Sequence, residues 1–129
     1  MGANKLLSSH ELPNGLILTV WDRSHPVVGD RWQVVLEGRI TIPVNDRTLP
    51  PELSSRAQEV IRALGPDLVF TRREERNFIA TGKAAAILQE MTARLLELAP
   101  RYLGHPDFAA RFIRQKFKEY LERQCLNNQ

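Results

Sequence analysis

The chain has 129 residues, 43% of them hydrophobic and 26% charged, with a net charge of +3. That length suits one domain, and the composition can fill a core rather than leave the chain disordered. No apolar run approaches the roughly 20 residues that cross a bilayer, and Cys125, the only cysteine, can make neither an internal disulfide nor a cysteine-rich zinc site.

The first residues, Met1 to Ser8, lack the long apolar stretch of a secretory signal, and Leu6 stands where a myristoylation motif needs Ser or Thr. A cytoplasmic location with no membrane partner is therefore expected. Lys5 to Leu12 reads as a short strand, ended by Pro13-Asn14-Gly15. Asn-Gly suits the positive φ values of a tight hairpin. Leu16 to Asp22 follows, rich in β-branched and aromatic residues, and reads as a second strand.

After a turn at residues 24–30, Arg31 to Val44 alternates with a period of two. Trp32, Val34, Leu36, Ile40 and Ile42 share one parity; Gln33, Glu37, Arg39 and Thr41 share the other, with Val35 the exception. Gly38 marks a bulge or a close approach of other atoms. The text Trp21-Asp22-Arg23 … Asp30-Arg31-Trp32 is a palindrome, and pairing it residue for residue would set opposite charges across the strands. Each such pair contributes about 0.2–1 kcal/mol, whereas burying a large apolar side chain contributes about 1.5–3 kcal/mol. A one-residue slip reunites the apolar sets on one face, so the expectation is Leu18 near Leu36 and Val20 near Val34.

Pro50-Pro51-Glu52 opens a helix whose apolar positions are Leu53, Ala57, Val60, Ile61 and Leu64, and Gly65-Pro66 stops it. Leu68 to Thr71 reads as a strand; residues 72–80, charged at their start, fit either its extension or the next helix. Thr81 is the expected N-cap of a helix over Gly82–Ala99, and Pro100 is expected to end it. The last helix is predicted from Pro106 to about Gln124. Ala109, Ala110, Ile113, Phe117, Tyr120 and Leu121 cover one side, and Phe108 and Phe112 widen its apolar arc to roughly 220° at 100° per residue. A helix so broadly apolar is either wedged between two elements or covered by another molecule.

The expected fold is a single α+β domain over residues 1–129: a small, largely antiparallel sheet of three or four strands, mostly N-terminal, with about three helices on one face.

The chemistry-bearing residues do not gather into a known motif. Gly82-Lys83 lacks the upstream glycine and following hydroxyl of a phosphate loop, since Asn77 and Ala84 hold those places. His10, His25 and His105 lie at turns without metal-ligand spacing. Asp22, Asp30 and Glu37 flank the long hairpin beside Arg23, Arg31 and Arg39, which suits ion pairing better than acid–base catalysis. No catalytic residue, metal or cofactor is assigned.

Two surfaces remain. Trp21, on the face opposite the core, together with Phe108 and Phe112 on the last helix, is a candidate partner surface for a protein or a second copy. Residues 1–64 carry seven basic and seven acidic side chains and residues 65–129 eleven and eight, so the positive excess lies in the second half. There Arg111, Arg114 and Lys118 form a candidate anion or nucleic-acid contact. The expectation is a small cytosolic, non-catalytic binding domain that self-associates, with nucleic-acid binding as the alternative and a small enzyme behind both.

Overall fold

The computed structural model describes residues 4–127; the myristoylation reading turns on Gly2, which lies outside them. The fold is α+β, with an open five-stranded antiparallel sheet and three α-helices. In chain order the elements are β1 (Lys5–Glu11), β2 (Ile17–Asp22), β3 (His25–Pro26), β4 (Arg31–Pro43), a 3-10 helix (Pro51–Arg56), α1 (Ala57–Leu64), β5 (Asp67–Ala80), α2 (Thr81–Tyr102) and α3 (Phe108–Asn127). β1 pairs with β2; β2, β3 and β5 all pair with β4. The chain divides into two compact units. One comprises the residues up to Ile40 plus Thr71–Gly104, and the other Thr41–Phe70 plus the residues from His105 onward.

In the first unit, β1 and β2 are joined by residues 12–16; the Leu12 amide donates to the Leu16 carbonyl at 2.8 Å, which leaves a three-residue loop at 13–15. Gly15 donates to the Leu12 carbonyl at 2.9 Å and takes φ +86°. Asn14 does not share that positive φ; it serves through its side chain, accepting the Leu16 amide at 3.1 Å and donating to the Leu103 carbonyl at 2.8 Å. A turn followed by one left-handed glycine is the usual build of such a loop.

The pairing of β2 with β4 differs from expectation in register but not in parity. Leu18 lies opposite Ile40 and Val20 opposite Gly38, four residues beyond the expected partners. An even shift keeps every side chain on its face. Its cause is β3, which extends the hairpin past Asp22, with His25 opposite Gln33 and Pro26 opposite Trp32. The reversal therefore falls at Val28–Arg31, where Gly29 takes φ +61°. Ser24 carries the strand across the gap: its amide donates to Asp22 at 2.9 Å, and its hydroxyl accepts the Val35 amide at 2.9 Å. The palindromic charge pairs do not form; Arg23 pairs with Glu37 at 3.2 Å.

Leu18, Val20, Val34, Leu36 and Ile40 are fully buried, and α2 meets this face. A Cβ on Gly38 would lie 3.3 Å from both Leu18 Cδ1 and Leu95 Cδ2, so the glycine marks a close approach rather than a bulge. Val35 is also buried, so this stretch of β4 is covered on both sides.

Residues 72–80 are strand. Gln33 reaches across to Glu75 at 3.1 Å and Asn77 at 2.9 Å. Thr81 is not the N-cap of α2. Its amide and hydroxyl both donate to the Asp30 carbonyl, at 2.9 and 2.7 Å, and the cap position falls to Ala80. Nor does Pro100 end the helix, which continues to Tyr102. The proline removes one hydrogen bond in the last turn, and the Ala99 carbonyl closes the end by accepting the Leu103 and Gly104 amides.

In the second unit the buried side chains are Ile42, Val44, Leu49, Leu53, Val60, Ala109, Ile113 and Phe117. The helix expected from Pro51 begins as a 3-10 helix and becomes α-helical at Ala57; Gly65, at φ +89°, ends it. Thr48 ties down the preceding loop, donating to the Pro43 carbonyl at 2.6 Å and accepting the Asn45 amide at 2.9 Å. Phe70 meets Phe108 and Phe112 edge-on, with ring centroids 5.1 and 5.6 Å apart.

Candidate interaction surface

The aromatic side chains singled out in the sequence fall in different settings. Trp21 belongs to the first unit and is half-buried on the face opposite Leu18 and Val20. Its indole N–H donates to Thr19 at 3.0 Å, and the Arg23 guanidinium sits 4.6 Å from its ring. Ile17 and Leu6 beside it are about half exposed. Phe108 and Phe112, in the second unit, are half-buried and engaged with Phe70. Much of the wide apolar arc of α3 is thus matched within its own unit: Ala109, Ile113 and Phe117 are buried outright.

The matching stops at the C-terminal end of α3. Leu121 is 40% exposed and Leu126 71% exposed. They border a groove of about 590 Å³ between α3 and the 3-10 helix, shared with Leu53, Phe117 and Cys125. Three turns of helix α3 contribute to it because residues three and four apart fall on one face. The groove was only half legible in the sequence. The apolar phase of Phe117 and Leu121 was visible; the opposing wall, Leu53 on a segment more than fifty positions earlier, was not.

Charge surrounds this groove in an ordered way. Arg114 grips Glu52 of the 3-10 helix through two hydrogen bonds, one of them 3.3 Å. Arg56 pairs with Glu59 at 2.7 Å while its guanidinium lies 5.2 Å from the Phe117 ring. The Arg114 hydrogen bonds hold the Glu52 carboxyl below its ordinary value and raise the guanidinium in return; Arg56 and Glu59 do the same to each other. Lys118 and Glu122 also line the groove, and neither has an ion partner among the described residues.

This pairing bears on the basic trio. Arg114 is engaged by Glu52, and Arg111 lies 3.7 Å from Asp107. Of the three, Lys118 alone forms no ion pair among the described residues.

The other polar candidates are occupied locally. Glu37 is shared between Arg23 and Arg39, at 3.2 and 3.9 Å, and Asp30 pairs with Arg31 at 3.7 Å. His10 bonds Ser8 at 2.8 Å, and His105 accepts the Asp107 amide at 3.0 Å. No group of three or more His, Cys, Asp or Glu side chains is placed to hold a metal among the described residues. Among those residues, too, no helix is long and apolar enough to cross a membrane. Two smaller recesses flank α2 in the first unit. One, of about 500 Å³, lies against Leu7 and Ser8; the other, of about 220 Å³, against Asp22, Ser24 and Trp32.

Comparison with known proteins returns no matching family model, no matching curated protein and no matching solved structure.

Proposed function

We propose that this chain is a small cytosolic, non-catalytic interaction module whose working surface is the groove between α3 and the 3-10 helix. The observation that carries the reading is the exposure of Leu121 and Leu126 beside an apolar groove of about 590 Å³. Single exposed apolar side chains are ordinary, but contiguous ones rimmed by charge favour a protein contact. The groove is open along a helix, so the fitting ligand is the apolar face of another helix. The lone cysteine supports the cytosolic part of the reading, since it provides no internal disulfide. Nucleic-acid binding through Arg111, Arg114 and Lys118 is the weaker alternative, because acids engage the first two.

The test uses the apolar dye anilinonaphthalenesulfonate at dilute protein concentration. Its fluorescence is expected to rise with the native protein and to be lost in Leu121→Asp, with both proteins melting alike. No rise with the native chain, or the same rise with the variant, would overturn the reading.

A further inference from the structure

The groove carries a pattern that selects its occupant. Arg114, Lys118, Leu121 and Cys125 recur along α3 at spacings of four, three and four, the rhythm of a helix–helix seam. Arg114 and Arg56 are already held by Glu52 and Glu59. That leaves exposed Lys118 and exposed Glu122, opposite in sign and one turn apart, with no ion partner among the described residues. Their order, Lys before Glu at four residues' spacing, is the poorer one for pairing within a helix. Both charges are therefore available to a neighbour.

Resting on the reading above, we infer that the occupant is α3 of a second copy, laid antiparallel about a two-fold axis near Tyr120, so that Lys118 of each copy meets Glu122 of the other. A two-fold contact is self-complementary, and this seam meets that requirement in one direction only. Parallel packing would set Lys118 against Lys118 and Glu122 against Glu122. A uniformly acidic or basic foreign helix would match one of the two charges and oppose the other. Leu121 lies one residue from the axis, so the two copies bury their exposed leucines against each other. Cys125 lies five residues from it, which places the two thiols about 15 Å apart along the helices at 1.5 Å per residue, beyond disulfide reach.

Sedimentation of charge-reversed variants tests this arrangement. Lys118→Glu alone and Glu122→Lys alone are each expected to weaken dimerisation by about tenfold or more. Their equimolar mixture is expected to recover dimers of near-native strength, because both cross-pairs are then opposite in sign. Circular dichroism melts confirm that each variant is folded. A mixture no stronger than its components, or single reversals without effect, overturns the pairing. Rapid oxidative cross-linking through Cys125 does so too, by indicating parallel packing. A native chain that stays monomeric at high micromolar concentration overturns the second copy as occupant, while the dye assay judges the groove separately.

Discussion

Gly104 gives the sharpest check on the packing. It follows α2, where the loop between β1 and β2 docks through the 2.8 Å bond from Asn14 to the Leu103 carbonyl. A Cβ at Gly104 would lie 2.5 Å from Pro13 Cδ and 2.6 Å from the Pro100 carbonyl oxygen. Carbon atoms pack best at about 3.5–4.0 Å, so Gly104→Ala forces a displacement of roughly 1 Å. Neither neighbour is the free end of a flexible side chain: one is a proline ring and the other is backbone. Overpacking of this kind costs about 1–3 kcal/mol, and the upper half of that range applies where nothing can swing aside. The melting temperature should fall by roughly 6–15 °C, taking about 3–5 °C per kcal/mol for a chain of this size. Gly82→Ala is the matched control. No atom lies within 4 Å of its added Cβ, and it sits in the first turn of α2. Alanine there should be neutral to stabilising, by up to about 1 kcal/mol. Urea unfolding followed by circular dichroism measures both. Equal stability of Gly104→Ala and the native chain, within about 0.5 kcal/mol, would refute the close docking of the loop on the helix end.

Two further outcomes follow from the second unit. Ile113 is fully buried, so Ile113→Ala should cost about 2–5 kcal/mol through lost burial and the cavity left behind, read from the shift in urea midpoint. The Glu52 carboxyl is held below its ordinary 4.5, chiefly by the Arg114 hydrogen bond. A depressed carboxylate stabilises the fold above its unfolded value, and that contribution is lost as pH falls through the folded value. Glu52→Gln should therefore flatten the acid side of the stability profile below about pH 4.5, and the difference from the native chain should shrink in high salt because the pair is exposed. Superimposable profiles at low salt would show that the pair has no influence on stability.

What could be read in the chain was periodicity. Alternation along residues 31–44 assigned Trp32, Val34, Leu36, Ile40 and Ile42 to the dry side, and all but the half-buried Trp32 are buried. Of the side assigned by helical spacing on α3, Ala109, Ile113 and Phe117 are buried, Ala110 and Tyr120 half-buried and Leu121 exposed. Register was less legible, because it depends on where the hairpin reverses. That was decided by a two-residue strand containing Pro26, too short to show any period, and by Ser24 supplying a side-chain acceptor for a backbone amide. Thr81 had the chemistry of a cap, but the Asp30 carbonyl, fifty-one positions away in sequence, claimed its hydroxyl. The breadth of apolar surface on α3 was visible, yet not which part of it was already matched. Phe70 covers Phe108 and Phe112, and no local pattern announces a ring thirty-eight residues away. The open end near Leu121 emerged only once that partner was in place.

The long charged strand β5 has a consequence for how the molecule keeps company. Among the described residues it pairs with β4, which puts its fourteen residues at an edge of the sheet. Along it stand Arg72, Arg73, Glu74, Glu75 and Arg76; Arg72 pairs with Glu74 at 3.4 Å and Arg73 with Glu75 at 2.8 Å, while Arg76 donates to the Glu75 carbonyl at 3.0 Å. An incoming strand would have to desolvate these charges to zip onto the edge, which is how natural sheets avoid growing into fibrils. Charge along the strand thus works against one kind of polymerisation, and replacing this stretch with threonine and valine should make the chain gel or precipitate on standing more readily than the native one.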